Sequence, residues 1–509
     1  MTGNSKGKVF LVGAGPGDPG LLTLRAAYAL QHGDVLLYDA LAGDPIVAFA
    51  AAACEKIFVG KRGGDHAMPQ AQIEALMIEK AREGKRVVRL KGGDPFVLGR
   101  GGEEAQALRA AGIPFEIVPG ISSSIASPAY AGIPVTHREH NVAFTVATGH
   151  EDPTKPESTL DWGKLADPHR TLILLMAMGN LGAIARHLCE RGLDAQTPVA
   201  VIQDGTRPTQ RTVVGTLTTI AGDVEREGLQ APAIVVIGSV VGLREQLAWF
   251  DVAPLFGKRV LVTRPAHQAA AFAAALYARG AQPILAPTIA ICAADDSNAI
   301  DAAIDGMDAF AWAVFTSRNG VDAIFDRLDA LGRDPRAFAR AKIAAIGPKT
   351  ADALRWRGIR ADLIPEKYVG DAAARALIAA TQDGDRIAIF AAQDAPDTLA
   401  RMLDAAQRPA STIAAYKTSF VEDAGLSSTV ATCDVLTFAS ASSVAGFARA
   451  LGGNRQALEA AHGKAIACIG PVTAHAATEL GLHVDTLASE YTGDGLVDAL
   501  EEFFASPTR

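Results

Sequence analysis

The second half of the chain contains an internal duplication, which restricts its fold to two similar units. The run VFTS, which includes Phe315, matches a run around Phe438 at an offset of 123 residues. Further pairs at this offset are Ile346-Gly347-Pro348 with Ile469-Gly470-Pro471, Thr350 with Thr473, Gly358 with Gly481, Asp362 with Asp485, Tyr368 with Tyr491, and Gly370-Asp371 with Gly493-Asp494. Segments that begin at Arg259 and Arg386 repeat at an offset of 127 residues. These offsets predict two lobes built from interleaved pieces, with a binding cleft between them.

Short apolar runs alternate with helical segments along the whole chain, which predicts an α/β fold. In the first half, VFLV is followed by the turn GAGPGDPG and the helical pattern LLTLRAAYAL. The apolar periodicity lapses after Leu243, and Pro254 and Gly257 precede a new strand. We therefore expect one domain over residues 1–250 and a second over 251–509. The lobes of the second domain are expected at about 257–290 with 416–505, and at 291–415.

Composition excludes several classes of protein. Hydrophobic residues make up 49% of the chain and charged residues 20%, as in globular proteins. The chain has 48 Lys and Arg residues and 56 Asp and Glu residues, so its formal net charge is −8. A nucleic-acid partner is therefore not expected. Five scattered cysteines form no C-x-x-C pair, which favours a reducing cytoplasm and predicts no metal site. No apolar stretch is long enough to predict a membrane span, and the N-terminus has no signal-peptide pattern.

The turn GAGPGDPG leaves two interpretations open. It follows a strand and opens a helix, as in dinucleotide-binding folds, and Asp39 lies where such a fold has its ribose-binding acid. However, Asp18 stands where a G-x-G-x-x-G motif beginning at Gly13 needs its last glycine, and a carboxylate repels phosphate. A nicotinamide-cofactor site and a plain strand-to-helix turn both remain possible on this motif alone.

Two further stretches carry a family resemblance. These are GKRVVRLKGGDPFVLGRGGEEA over residues 84–105 and VPGISSSIASPAYAGIPVTHR over 118–138. Their glycines indicate a close approach of the backbone to a ligand. With GPGDP and YDAL, they resemble the uroporphyrinogen-III C-methyltransferases, of the tetrapyrrole methylase class, over about residues 7–250. The resemblance implies a two-lobed, usually dimeric enzyme that transfers two methyl groups from S-adenosylmethionine to uroporphyrinogen III, giving precorrin-2.

The same resemblance implies roles for individual residues. Its proton acceptor and donor correspond to Asp39 and Lys61, although Asp39 would also serve as a helix cap. The implied cofactor contacts are Pro16, Gly92, Gly93, Asp94, Val97, Ser122, Ser123, Met176 and Gly205. Asp94 would pair with a cationic group of the cofactor, and Met176 would otherwise be a core residue of its strand. Lys61 and a set of arginines and lysines would hold substrate carboxylates, namely Arg62, Arg89, Lys91, Arg100 and Arg138; each alone is also typical of a solvated surface.

Two departures from the family pattern concern the shape of the pocket. Leu98 stands where the family usually has Phe, and the triple serine at 122–124 replaces a usual Thr-Ser-Ala. The pair His137-x-x-His140 is a weak metal signal, because His137 belongs to the family motif and no carboxylate lies at zinc-site spacing.

The second half resembles the uroporphyrinogen-III synthases over about residues 257–505, through VLVTRP, VFTSRNGV, IGPKTADAL, TFASASSV and IGPVTAHA. That family converts hydroxymethylbilane to uroporphyrinogen III, with inversion of one pyrrole, in a cleft between two α/β lobes and without a cofactor. The resemblance places its assisting tyrosine at Tyr416, which is otherwise a half-buried strand residue. Substrate carboxylates would be held by Ser317, Thr350, Ser440 and Thr473 at helix starts, where capping is the alternative, and by Arg264. The run FAAQD replaces an Arg-Gly usual in the family, so that carboxylate contact is either missing or supplied by Arg264 or Lys349.

The two resemblances connect, because the product of a synthase is the substrate of a methylase. They imply a bifunctional enzyme of the sirohaem and cobalamin branch, with small-molecule tetrapyrrole substrates, no nucleic-acid or membrane partner, and a homodimer formed through the methylase half. Two alternatives remain. The first half would methylate another corrinoid intermediate, or the second half would be a bilobed tetrapyrrole-binding module without turnover.

Overall fold

The computed structural model describes residues 7–60, 68–151, 153, 155, 159–366 and 370–506. In the first half the strands are β1 (Lys8–Gly13), β2 (Val35–Tyr38), β3 (Glu55–Phe58), β4 (Arg86–Lys91), β5 (Phe115–Val118), β6 (Ala143–Thr148), β7 (Arg170–Leu175), β8 (Pro198–Gln203), β9 (Arg211–Thr216) and β10 (Ala233–Ile237). The helices are α1 (Leu24–Gln31), α2 (Asp44–Val47), α3 (Gln70–Arg82), α4 (Gly101–Ala110), α5 (Ser123–Tyr130), α6 (Trp162–Leu165), α7 (Leu181–Glu190), α8 (Ile220–Glu227) and α9 (Arg244–Leu247).

The second half continues the alternation of strands and helices. Its strands are β11 (Arg259–Val262), β12 (Gln282–Leu285), β13 (Ile289–Ala293), β14 (Trp312–Phe315), β15 (Lys342–Ala345), β16 (Ile387–Ala392), β17 (Ala410–Phe420), β18 (Val435–Phe438), β19 (Ala465–Cys468) and β20 (Thr486–Leu487). Its helices are α10 (Ala266–Ala278), α11 (Ser297–Asp305), α12 (Arg318–Ala330), α13 (Pro348–Trp356), α14 (Gly370–Ala380), α15 (Thr398–Ala405), α16 (Leu426–Ala431), α17 (Ala441–Ala450), α18 (Asn454–Ala461), α19 (Pro471–Leu480) and α20 (Gly493–Ala505). The predicted α/β class is confirmed.

The first sheet is parallel and has the strand order β3-β2-β4-β1-β5. The apolar runs of the sequence form its central strands: Leu11 packs on one face and Val12 on the other, both fully buried. Because the strands are parallel, the loops that follow them meet at one edge of the sheet. The loops after β1, β2 and β4 are therefore neighbours, and they carry the motifs singled out in the sequence.

The second sheet has the order β6-β7-β10-β8-β9 and is mixed. The pair β6 and β7 is parallel, whereas β10 runs antiparallel to both of its neighbours and β9 antiparallel to β8. Its central strand β10 is buried along its whole length, which fits the continuous apolar run AIVVI. The first half is thus built on two sheets, as expected for a two-lobed α/β protein.

The second half also contains two sheets, with the orders β12-β11-β18-β19-β20 and β13-β17-β16-β14-β15. The duplication predicted from the sequence is confirmed at the level of elements. Strands β14 and β15 form a parallel pair in one sheet, and β18 and β19, 123 residues later, form the equivalent pair in the other. The helices α13 and α19 both begin at a Gly-Pro step, which again lies at the same offset.

Side-chain contacts repeat with the elements. A carboxylate oxygen of Asp362 accepts the backbone N–H of Ile343 at 2.8 Å, and Asp485 accepts that of Ile466 at the same distance. The two lobes therefore fix the start of an equivalent strand in an equivalent way. Tyr368, another member of the repeat, lies outside the described residues.

The chain passes from one lobe of the second half to the other after residue 416, whereas the sequence predicted the boundary at that residue. Strand β17 extends to Phe420, since it pairs in parallel with β16 and antiparallel with β13. Tyr416 therefore lies in the sheet of β13–β17, rather than with the segment that carries β18–β20. A tyrosine inside one long strand gives no turn signal, so the sequence did not show this.

By contact density the chain divides into two compact units, here taken over their described residues. One comprises Met1–Val260, Ala271–Ile284 and Thr492–Arg509, and the other Leu261–Ala270 and Leu285–Tyr491. None of the described helices has the length and apolarity needed to cross a membrane. Within the same residues, no three His, Cys, Asp or Glu side chains are grouped so that they would hold a metal ion.

Candidate active site

A cavity of about 770 Å³ lies at the edge where the loops of the first sheet meet. Its volume is within the range of small-ligand sites. The nine residues predicted to contact the cofactor all line it: Pro16, Gly92, Gly93, Asp94, Val97, Ser122, Ser123, Met176 and Gly205. The structure thus gathers into one cavity residues that the sequence spreads over nearly 200 positions.

Glycine backbones hold the loops of this cavity together. Gly15 and Gly93 exchange two backbone hydrogen bonds, at 2.7 and 3.2 Å, and so join the loops after β1 and β4. A Cβ atom on Gly92 would lie 2.6 Å from the Cβ of Leu41, and one on Gly205 would lie 2.2 Å from the hydroxyl oxygen of Ser127. Gly92 and Gly205 are therefore required by close packing within the cavity wall.

The cavity wall also concentrates unusual backbone conformations. Leu98, Arg100, Met176 and Asp204 line the cavity with positive φ angles of 52°, 60°, 59° and 49°. Such conformations cost free energy in residues other than glycine and cluster at functional sites. The sequence gives no signal for Leu98, Arg100 and Met176, since these residue types do not by themselves favour the left-handed region, whereas Asp adopts it more often.

Asp94 organises its own loop. One carboxylate oxygen accepts the backbone N–H of Phe96 at 2.8 Å, and the other accepts that of Gly120 at 3.0 Å. We expected this carboxylate to pair with a cation of the ligand. In the structure its hydrogen bonds connect the loop after β4 to the loop after β5.

Ser122 and Met176 both line the cavity. The Ser122 hydroxyl caps helix α5 by accepting the backbone N–H of Ser124 at 3.3 Å, while Ser123 begins that helix. Met176 directly follows β7 and is 51% exposed. The alternative that Met176 is a core residue of its strand is therefore wrong.

Asp39 follows β2 and faces the cavity. Its Oδ1 accepts the backbone N–H of Leu41 at 3.1 Å, and its Oδ2 accepts a guanidinium N–H of Arg89 at 3.3 Å. The carboxylate is thus held from two directions and remains in contact with the cavity. Lys61 and Arg62, the predicted proton donor and one predicted substrate contact, lie outside the described residues.

Arg89 and Lys91, predicted to hold substrate carboxylates, both line the cavity. Both are buried on the central strand β4, and both donate to one oxygen of Glu104, at 3.2 and 2.9 Å. Gln70 donates to the same oxygen at 3.2 Å. Burial, and then the charge of Arg89, lower the pKa of Lys91. Alternation along a strand places both cations on one face, and the sequence could not show that a buried acid from α4 would meet them.

The remaining predicted cations of the first half differ in position. Arg100 lines the cavity and forms an exposed ion pair with Glu103 at 2.6 Å. Arg138 is exposed and does not belong to the cavity lining described here. Arg207, which sequence reasoning missed, does line the cavity and donates to the backbone carbonyl of Leu41 at 3.3 Å. Only its place after the Gly205 turn hinted at this.

In the second half, the structure brings together two of the predicted residues. The hydroxyls of Tyr416, on β17, and Ser317 are 3.0 Å apart. Tyr416 is only 7% exposed, so it is more buried than a half-buried strand residue. Ser317 also caps α12 by accepting the backbone N–H of Gly320 at 3.2 Å.

The other predicted residues of the second half stand at helix starts or strand ends. Ser440 forms a reciprocal capping box with Ser443 at the start of α17. Thr350 and Thr473 are buried in the first turns of α13 and α19. Arg264 follows β11, and burial lowers its pKa. Capping is thus an observed role of Ser317 and Ser440.

Comparison with known proteins agrees with both halves. Residues 8–221 match the tetrapyrrole (corrin/porphyrin) methylases, and residues 270–498 match the uroporphyrinogen-III synthase HemD family. The S-adenosyl-L-methionine-dependent uroporphyrinogen III methyltransferase of Methanosarcina barkeri is 55% identical over 48% of this chain and 96% of its own length. The siroheme synthase of Azotobacter vinelandii is 51% identical over 48% of this chain, which spans about half (52%) of that relative.

One relative resembles the chain over nearly its whole length. The porphyrin biosynthesis protein HemD of Ruminiclostridium josui is 34% identical over 500 residues, which cover 97% of this chain and 98% of that protein. The cavity loops of the first half and the duplicated lobes of the second fall within the two matched families. The chain therefore belongs to the family of porphyrin biosynthesis proteins in which a tetrapyrrole methylase is joined to a uroporphyrinogen-III synthase.

Proposed function

We propose that this chain is a bifunctional enzyme that cyclises hydroxymethylbilane to uroporphyrinogen III and methylates that product twice to precorrin-2. The observation that carries the proposal is the cavity at the edge of the first sheet, which gathers all nine residues expected to contact S-adenosylmethionine. The names of the relatives support the same pair of activities. The domain division follows: residues 1–250 for methyl transfer and 251–509 for cyclisation.

The residues of the cavity fit S-adenosylmethionine. Its apolar wall includes Leu41, Leu98 and Met176, whose side chains are about half exposed and are available to pack on a ligand. The turns at Gly92–Gly93 and Gly205 offer backbone groups, and Ser123 offers a hydroxyl. When bound, S-adenosylmethionine supplies a methyl group already activated by its sulfonium. The chain's task is then to hold a pyrrole carbon in line with that methyl and to exclude water.

Asp39 is suited to accept the proton that the methylated ring loses. Its carboxylate lines the cavity and is fixed by the Leu41 N–H and by Arg89, so it would not need to reorient during the reaction. We assign the proton-donor role to Lys61 on the family resemblance. Arg100 and Arg207 would hold carboxylates of the substrate.

Cyclisation is assigned to the lobes of the second half. The Tyr416 hydroxyl, 3.0 Å from that of Ser317, can donate a proton to the hydroxyl that hydroxymethylbilane loses on ring closure. Ser440, Thr350, Thr473 and Arg264 would hold carboxylates, together with the free N–H groups of the helix starts. No cofactor is needed for this step.

The biological setting is proposed on the family resemblance. A siroheme synthase among the relatives supports the sirohaem branch, and the cobalamin branch shares the same intermediate. We also propose that the chain works in the cytoplasm, as a homodimer formed through its methylase half.

The direct test supplies hydroxymethylbilane and S-adenosylmethionine to the purified chain and follows the product by absorbance and mass. We expect a dimethylated product derived from the inverted isomer. The uninverted isomer alone would favour a binding module in the second half. Failure to methylate added uroporphyrinogen III, with turnover of a different corrinoid, would favour the other alternative.

The Asp39→Asn variant tests the chemical role of the carboxylate. It keeps the size of the side chain and removes its charge, so we expect the kcat of methyl transfer to fall about 100-fold. Binding of S-adenosylhomocysteine, measured by calorimetry, should stay within about twofold. Unchanged turnover would refute the role of Asp39.

A further inference from the structure

A buried carboxylate that the proposed mechanism does not use lies behind the cavity. Glu104, in the first turn of α4, has no exposed surface. One of its oxygens accepts from Arg89 and Lys91 of β4 and from Gln70 of α3, at 3.2, 2.9 and 3.2 Å. Three elements are thus joined at a single oxygen atom. Its second oxygen is buried and has no hydrogen-bond partner among the described residues.

Arg89 connects this carboxylate to Asp39. Its Nε donates to Glu104, its Nη1 to the carbonyl of Leu90 at 3.0 Å, and its Nη2 to Asp39 at 3.3 Å. A guanidinium is planar, so fixing two of its nitrogens fixes the direction of the third. The orientation of the Arg89 N–H toward Asp39 therefore depends on Glu104.

The charges of the cluster balance only when Glu104 is ionised. Two cations, Arg89 and Lys91, then face two carboxylates, Glu104 and Asp39. Without the charge of Glu104, the cluster beside Asp39 would carry one net positive charge, which favours the ionised form of Asp39 and weakens it as a base. The other charged side chains that line the cavity are Asp94, Arg100, Asp204 and Arg207.

We infer that Glu104 is a positioning residue for methyl transfer, which acts through Arg89 to set the orientation and the proton affinity of Asp39. The inference rests on the proposed function of the first half. Glu104 does not line the cavity, so it has no direct contact with the ligands that the cavity would hold.

Glu104→Gln keeps the shape of the side chain and removes its charge. We expect the kcat of methyl transfer to fall about 10- to 100-fold, while the KM for S-adenosylmethionine stays within about twofold. Because Asp39 becomes a weaker base, the acid limb of the kcat–pH profile should move to lower pH. The control is Glu83→Gln, directly after α3, whose side chain lies 4.0 Å from Lys80 and does not line the cavity; it should leave kcat and its pH profile unchanged.

Two more variants keep the inference testable if Glu104→Gln does not fold. Arg89→Lys retains the buried positive charge but cannot bond Glu104 and Asp39 together, so it should lower kcat to a similar extent. Glu104→Asp retains the negative charge and should restore the wild-type pH profile. A Glu104→Gln or Arg89→Lys enzyme with the kcat and pH profile of the Glu83→Gln control would overturn the inference.

The two proposals fail in distinguishable ways. If the wild-type chain does not methylate uroporphyrinogen III, the proposed function is wrong. The role of Glu104 is then still decided by carbon-13 NMR titration of the Asp39 carboxyl, identified by comparison with Asp39→Asn. A lower Asp39 pKa in Glu104→Gln than in the wild-type chain supports the inference, and an equal pKa refutes it.

Discussion

The cationic side chains around the methylase cavity differ in their hydrogen-bond partners, and this difference indicates which of them is available to a substrate. All three of Arg89, Lys91 and Arg207 line the cavity, but Arg89 and Lys91 are buried and neutralised by carboxylates. The Arg207 guanidinium instead donates to a neutral carbonyl, that of Leu41. An arginine held in this way retains N–H groups for a carboxylate of the substrate. We therefore expect Arg207, rather than the two buried cations, to contribute to substrate affinity.

Arg207→Gln tests this assignment. A hydrogen bond to a charged group contributes about 1.5 to 3 kcal/mol, so its loss should raise the KM for uroporphyrinogen III about 10- to 100-fold. The KM for S-adenosylmethionine should change little. The control is Arg211→Gln, whose side chain pairs with Glu227 on the surface. An equal effect of Arg207→Gln on both substrates would show that it disturbs the cavity as a whole.

Motifs predicted which residues reach the cavity better than they predicted the surroundings of each side chain. Seven of the nine expected cofactor residues follow strands of the parallel first sheet, and the loops after such strands must meet at one edge of the sheet. Met176 and Gly205 instead follow β7 and β8 of the mixed second sheet, so this rule does not account for their place in the cavity. In contrast, the sequence around Glu104 is typical of an exposed acidic residue in the first turn of a helix. The residues next to it in sequence do not show that its side chain is buried against β4. Burial of a charged side chain depends on a partner distant in sequence, so a local pattern does not reveal it.

At the scale of elements, the duplication provides matched pairs for measurement. Asp362 and Asp485 each hold the first part of an equivalent strand through a backbone N–H, at 2.8 Å in both cases. Asp362 is exposed and Asp485 is partly exposed, so removing either bond should cost about 1 to 2 kcal/mol.

We expect Asp362→Ala and Asp485→Ala to lower the free energy of unfolding of their lobes by similar amounts. Chemical denaturation followed by circular dichroism measures both changes. Asp305→Ala, in an exposed ion pair with Arg333, is a control with an expected effect below about 1 kcal/mol. A large cost for one variant and none for the other would mean that the lobes differ in how these strands are stabilised.

The duplication also shows what the sequence can and cannot place. Strands β14 and β18 and their following helices were predicted, because both copies keep the same residues at the same offset. The extent of β17 was not, since its pairing with β13 involves residues outside the repeat. That pairing fixes Tyr416 opposite Ala293 and allows its hydroxyl to reach Ser317.

At the scale of the whole molecule, an acidic chain is proposed to bind two polyanions. The net charge of −8 means that attraction to the substrates depends on a few local cations, among them Arg207 and Arg264. A product that leaves its site is repelled by the chain as a whole, which favours release into solution. We therefore expect uroporphyrinogen III made by one chain to reach the methylase site of another.

Mixing two single-site variants tests this expectation. Asp39→Asn should form uroporphyrinogen III without methylating it, and Tyr416→Phe should methylate added uroporphyrinogen III but cyclise hydroxymethylbilane about 10- to 100-fold more slowly. In an equimolar mixture at the total concentration of the wild-type chain, half of the chains carry each working site. Precorrin-2 should therefore form at about half of the wild-type rate, as measured by absorbance with isomer analysis of the product. If the mixture is instead no faster than the better of its two components alone, the intermediate is retained by the chain that makes it, and repulsion by the net charge does not govern its release.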